Sequence, residues 1–253
     1  MSVSYLRPIV ICAGLVAVWQ AIVSLSGVPA FILPAPASVL LAIVEDARLL
    51  AGHAGVTFIE IALGLLLGVV LGAASGIAMS FFVPVRRWLF PVLVVSQAIP
   101  VFALAPILVL WLGFGIGSKV AMATLIIFFP VTAALYDGLR RTEPGLLDMA
   151  RTMDASRFAI LRHVRLPMAM PAFASGIRIA AAVAPIGAVV GEWVGASSGL
   201  GALMIHANAR SETDTMFAAL FVLAVMAVTL YFAIDLVLRR LITWQPETYS
   251  SDD

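Results

Sequence analysis

The chain has 253 residues, of which 62% are hydrophobic and 11% charged, with a net charge of +1 and a mean hydropathy of +1.09. Soluble domains carry about 25% charged residues, so this chain lacks the polar side chains to cover a water-facing surface. An ordinary cytosolic enzyme, a disordered or fibrous chain and a nucleic-acid binder are thereby excluded. The single cysteine, Cys12, cannot form an internal disulfide and reads as a small core residue.

Six stretches, about 8–26, 56–83, 88–112, 118–136, 168–195 and 215–238, meet the requirement of roughly 20 mostly apolar residues per membrane crossing. The expected fold is all-α: a polytopic bundle of about six spans in one transmembrane domain, residues 1–253. The first stretch reads as a retained anchor, because its only basic flank is Arg7 and no A-x-A-like cleavage site follows. Lys and Arg collect in cytoplasmic loops. With both ends inside, 11 of the 15 basic residues fall inside and 3 (Arg48, Lys119 and Arg210) outside, Arg178 lying within a span. The opposite orientation inverts that ratio, so the topology is N-in, C-in.

In chain order, the outer loop 27–55 opens with Pro29, Pro34 and Pro36 and continues SVLLAIVEDARLL, the spacing of a short amphipathic helix at the interface. The second span carries Gly64, Gly68, Gly72 and Gly76, a GxxxG ladder on one face. Such a face brings helix backbones together in lipid, either within one subunit or against another. Prolines interrupt spans three (Pro91, Pro100, Pro106), four (Pro130) and five (Pro185). Each frees a carbonyl and bends a helix, which suits a translocation path. Gln97, Arg178, Glu192 and Glu60 are polar residues at membrane depth, where such groups are costly. Gln97, Pro100, Arg178, Glu192 and its neighbour Trp193 form the candidate path. Arg178 invites a carboxylate partner, and Asp235 reads as a group snorkelling to the surface.

Other patterns lead nowhere. GFGIGSK at 113–119 departs from the phosphate-loop spacing and reads as a helix-turn-helix connection. His53, His163 and His206 show no metal-ligand spacing, and no catalytic constellation lies within a span. The lack of a convincing internal repeat argues against an ion-coupled secondary transporter.

The inner loop 137–167 is the longest polar stretch. In PGLLDMARTMDASRFAILRHVRLPMAMP, residues 144–171, the apolar Leu146, Leu147, Ala150 and Met153 follow helical spacing while Asp148, Arg151 and Asp154 turn to another face. A second segment has Phe158 and Leu161 apolar and Arg157, Arg162 and Arg165 basic. Two short amphipathic helices are therefore expected, joined near Asp154-Ala155-Ser156. Their apolar stripe lies either on lipid or in a groove of a cytoplasmic protein.

These residues resemble the EAA loop of ABC-importer permeases, which reads roughly E-A-A-x-x-x-G and, about nine residues later, I-x-L-P. Asp148-Met149-Ala150 stands at E-A-A, Leu166-Pro167 at L-P, and Asp154 replaces the glycine. LPAPASVL (33–40), SQAIPVFALAPILVLWLGFGIGSK (96–119), FFPV (128–131) and GEWVGASSGLG (191–201) resemble the nitrate/sulfonate/taurine branch. HANAR (206–210), MFAAL (216–220) and WQPE (244–247) are most similar to permeases for thiamine-precursor pyrimidines, with riboflavin permeases close behind. The resemblance implies a type I importer permease fold in the bacterial inner membrane and a division of labour among chains: a second permease copy in a homodimer, two ATPase subunits inside, and a periplasmic or lipid-anchored binding protein outside. It implies no cofactor on this chain, with ATP and Mg used by the ATPase. It places ATPase coupling on Leu146, Leu147, Asp148, Ala150, Arg151, Met153, Asp154, Ala155, Ser156, Leu166 and Pro167.

Overall fold

A computed structural model describes residues 3–244, with side-chain surroundings from Val10 onward except at Cys12. The expected core place of Cys12 and the polar tail beyond Trp244 lie outside the described residues. These form eleven α-helices and no strand: α1 (Val3–Ser26), α2 (Pro36–Glu45), α3 (Ala47–Phe81), α4 (Val83–Ser96), α5 (Val101–Leu112), α6 (Ile116–Arg140), α7 (Pro144–Thr152), α8 (Arg157–Ile160), α9 (Leu166–Trp193), α10 (Leu200–Ala209) and α11 (Thr213–Leu241). A π-helical turn, Leu161–Arg165, joins α8 to α9.

Four helices are long and apolar enough to cross a membrane: α3, α6, the continuous helix Arg157–Trp193, and α11. The pair α4–α5 makes a fifth span if counted as one, and α1 is a further apolar helix of 24 residues. The third span differs from expectation. It is two helices of 14 and 12 residues set at 108°, each about 20 Å long against a hydrocarbon core of about 30 Å. The break falls at Gln97–Pro100, where proline disfavours helix in the residue before it. By contrast α6 runs through Pro130 and α9 through Pro185 without interruption, so the expected bending by proline ends one helix only at the third span. The second span also begins earlier than expected. Asp46 closes α2, and its carbonyl accepts the Leu50 amide at 2.9 Å, which starts α3 at once.

The chain divides into two compact units: residues up to 57 with 197–225, and residues 58–196 with those from 226 onward. In the first, the side chain of Trp19 donates to the Pro34 carbonyl at 3.1 Å and its ring stacks on Phe217 at 6.0 Å. Thr213 donates to the Phe31 carbonyl and Thr215 to Asp46. The start of α10 is capped from α3. The Gly199 amide donates to His53 Nδ1 at 3.0 Å and the Leu200 amide to Thr57 Oγ1 at 2.8 Å, satisfying donors that a helix start leaves open.

In the second unit, α6 lies between α3 and α9. The glycine ladder of α3 meets Ala123, Ile127, Val131 and Leu135 of α6, and a Cβ at Gly68 would stand 2.5 Å from Ile127. On the other face, Gly176 and Gly187 of α9 lie against Ala134 and the Ala123 backbone, a Cβ at either falling 2.6 Å from α6. Ile61, Ala123, Ile127, Val131, Ala180, Ala184 and Ala188 form the buried centre. The ladder's partner is therefore within the chain. Close approach over small residues is what drives helix association in lipid.

Candidate functional site: a coupling loop joined to a long helix

The inner loop is built as two short helices with a specified turn. Met153 is the C-cap of α7. The Asp154 amide donates to Arg151 O at 3.0 Å and the Ala155 amide to Ala150 O at 3.0 Å. This is the paired bonding of a Schellman motif, whose next residue past the cap is left-handed. Asp154 holds that position with φ +55°, a conformation that glycine adopts at no steric cost and aspartate more readily than most residues. Ser156 then caps α8, its Oγ accepting the Ala159 amide at 3.2 Å.

The stripe expected from helical spacing is divided between two sides. Ala150 is 7% exposed, and Leu146 and Leu147 are half-buried. Met153 is 75% exposed, and with it stand Met149 at 57% and Phe158 at 62%. Met149 lay outside the expected coupling set because the spacing gave it no place on the stripe. Phe158 also lay outside that set. An exposed crest of two methionines and a phenylalanine emerges only once the turn is formed. Asp148 and Arg151 pair at 2.9 Å on the surface, a contact worth little by itself.

Leu166 and Pro167 open α9, directly after the π-helical turn. Proline has no N–H to return to the His163 carbonyl, and its ring crowds that oxygen. The wider turn accommodates both facts, with the Leu166 amide reaching Leu161 O. Helix therefore continues from Arg157 to Trp193 over 37 residues, about 55 Å.

At the far end of that helix, Glu192 is 1% exposed and packs with Glu60 of α3, 2% exposed, and Lys119 of α6, 3% exposed. Glu192 and Lys119 both lie close enough to Glu60 to interact with its carboxyl group, whose Oε2 is buried without a hydrogen-bond partner. Lys119, expected in an outer turn, instead lies in α6 with Nζ donating to the Phe114 and Gly115 carbonyls. Room for its stem exists because Gly191 has no side chain: a Cβ there would lie 3.0 Å from Lys119 Cα. Trp193 is 44% exposed, its ring 6.2 Å from Phe102. Gln97 and Pro100 are exposed at the α4–α5 break. Arg178 has the carboxylate partner its position invited: Nε bonds Asp235 Oδ1 at 2.6 Å, and Asp235 also holds Arg239 at 2.8 Å. Asp235 is thus an ion-pair centre between α9 and α11, not a lone snorkelling group. The structure gathers Glu192 with Glu60 and Lys119, and leaves Gln97 and Arg178 apart from that cluster.

Apolar helices long enough to cross a membrane and a structured two-helix loop between two of them define a polytopic membrane protein. The chain belongs to the family described as the binding-protein-dependent transport system inner membrane component, whose model matches residues 64–243; it is a multi-pass inner-membrane permease subunit of an ABC importer. It is 53% identical to a probable ABC transporter permease protein of Haemophilus influenzae, over 96% of this chain and 99% of that one. It is 35% identical to the formylaminopyrimidine transport permease protein ThiX of Halalkalibacterium halodurans, over 96% and 98%. It is 40% identical to the riboflavin transport system permease protein RibX of Chloroflexus aurantiacus, over 90% and 85%. In fold it matches a chain of the inward-facing MetNI methionine ABC transporter, with a TM-score of 0.68 at 20% identity, covering 78% of this chain and 98% of that one. The type I importer permease fold expected from the sequence is therefore present.

Proposed function

We propose that this permease forms the path for a thiamine-precursor pyrimidine of the hydroxymethylpyrimidine type, delivered by a binding protein and driven by ATP hydrolysis in two separate ATPase subunits. Two copies of the chain form the path. The chain itself binds no cofactor, and ATP and Mg are handled by the ATPases. The observation that carries the coupling role is the exposed crest of Met149, Met153 and Phe158 on a loop continuous with α9. Apolar side chains on a short helix suit a groove in a partner protein. Movement of that partner acts on α8, and a continuous helix carries the displacement to Glu192 and Trp193. The fold thereby supplies a two-state element biased by ligands at both ends.

The cargo assignment is supported by the end-to-end match to the formylaminopyrimidine permease. A second reading, riboflavin, is favoured by the 40% identity to the riboflavin permease. Both cargoes are flat nitrogen heterocycles, and the exposed Trp193 beside Phe102 offers a flat ring such a surface.

The test is a mild-detergent purification of the tagged chain with mass spectrometry of its companions. Two ATPase subunits per two permeases, and a binding protein that retains a pyrimidine, are expected. A binding protein that retains riboflavin gives the second reading. Recovery without an ATPase in several detergents overturns the coupling role.

A further inference from the structure

A cavity of about 500 Å³ lies between the inner loop and the end of α3. Phe81, Leu147 and Ile160 supply apolar walls, and Arg151, Arg157 and Arg165 are also among its lining residues, with no Asp or Glu. Arg151 is partly engaged with Asp148 at the surface. Arg165 differs: its Nε is buried and has no hydrogen-bond partner. A buried donor of this kind calls for an acceptor. Arg165 also ends the π-helical turn, a local widening that recurs at functional sites. The cavity sits beneath the loop, whereas the apolar crest of Met149, Met153 and Phe158 is exposed to solvent.

We propose that this cavity binds a phosphate monoester with a small apolar body. Guanidinium groups match phosphate oxygens with paired, directional hydrogen bonds, which the terminal N–H groups of Arg151, Arg157 and Arg165 supply. The apolar walls take the organic part. By the charge-derived topology the cavity opens at the cytoplasmic end of the bundle. The phosphate therefore comes either from a soluble ester or from the headgroup of an anionic lipid such as phosphatidic acid. Leu147, Arg151 and Ala155 of the cavity lining also belong to the expected coupling set, so binding is measured on the permease without its ATPase. It does not require the ATPase docking proposed above, so the two readings fail separately.

The experiment uses the full chain in discs of pure phosphatidylcholine, titrated with phenyl phosphate by calorimetry. A parallel sample containing phosphatidic acid is examined by native mass spectrometry for retained lipid. Saturable binding of one phenyl phosphate per chain is expected, weakened at least ten-fold in R165Q and in R157Q, with no binding of phenol. Should R165Q fail to fold, R157Q at the exposed start of α8 decides the matter. Retention of phosphatidic acid alone, lost in the same variants, sustains the site and assigns it to a lipid headgroup. Absence of saturable binding by either probe overturns the proposal, as does binding unchanged by both substitutions. Loss of ATPase co-purification in these variants, without phosphate binding, overturns it too and makes the guanidinium groups a protein contact.

Discussion

The α3–α6–α9 core and the inner loop are held by different physics. In the core, glycines place helix backbones so close that no added atom fits: a Cβ at Gly187 would lie 2.6 Å from Ala123 Cα. At Gly187 the neighbour is the Ala123 backbone, and along the α3 ladder it is the branched side chains of Ile127 and Val131 close to their own backbone, so little can yield. In the loop, Gly145 has nothing within 4 Å of an added Cβ, and the shape comes from caps: the bonds around Asp154 and the Ser156 hydroxyl. The core therefore resists change in volume, while the loop resists change in turn chemistry. A rigid bar with an adaptable contact at its end suits a part that transmits movement.

The sharpest way to break this contrast is to add volume on both sides. Gly187→Val is expected to abolish recovery of folded, monodisperse permease, since overpacking costs about 1–3 kcal/mol or more even where side chains can shift. Gly145→Ala is expected to change the thermal midpoint little. Equal effects would remove the distinction.

Met153→Asp and Phe158→Asp should leave the purified permease folded yet abolish uptake and ATPase co-purification, because both side chains are exposed. Ala150→Asp should instead unfold the loop, since Ala150 is buried. Normal uptake in Met153→Asp and Phe158→Asp would count against docking through the crest.

Arg178→Ala probes an ion pair that joins α9 to α11. Interhelical polar contacts in membranes average about 0.6 kcal/mol, reaching about 1.7, and Asp235 retains Arg239. A loss of about 1 kcal/mol is expected in thermal unfolding, with less lost in the double variant Arg178→Met, Asp235→Leu. Additive losses would mean that the pair is not coupled.

The smallest effect is expected at Asp154. A left-handed residue other than glycine costs roughly 1–2 kcal/mol, partly offset by the added freedom of an unfolded glycine. Asp154→Gly should raise the stability of the loop by up to about 1 kcal/mol, read as slower amide exchange at Ala155. Faster exchange would show that the aspartate side chain, not the turn, holds the position.

The composition and the apolar runs determined the membrane class and the all-α fold, because lipid leaves the backbone few ways to satisfy its hydrogen bonds. The four-residue glycine period determined a close-packed face, and the EAA-like residues determined the two-helix loop with its turn at Asp154. Which helix met the glycine face, and that α6 rather than a second subunit filled it, was settled only by tertiary packing. The same holds for the burial of Lys119 against Gly191, the gathering of Glu60 with Glu192, and the pairing of Arg178 with Asp235. These contacts join residues 57 to 132 positions apart, and helical spacing carries no information across such distances. Proline shows the division most clearly. Sequence placed Pro100, Pro130 and Pro185 alike at membrane depth, but the helices containing Pro130 and Pro185 are clasped over small residues and continue, whereas the chain around Pro100 is exposed and breaks.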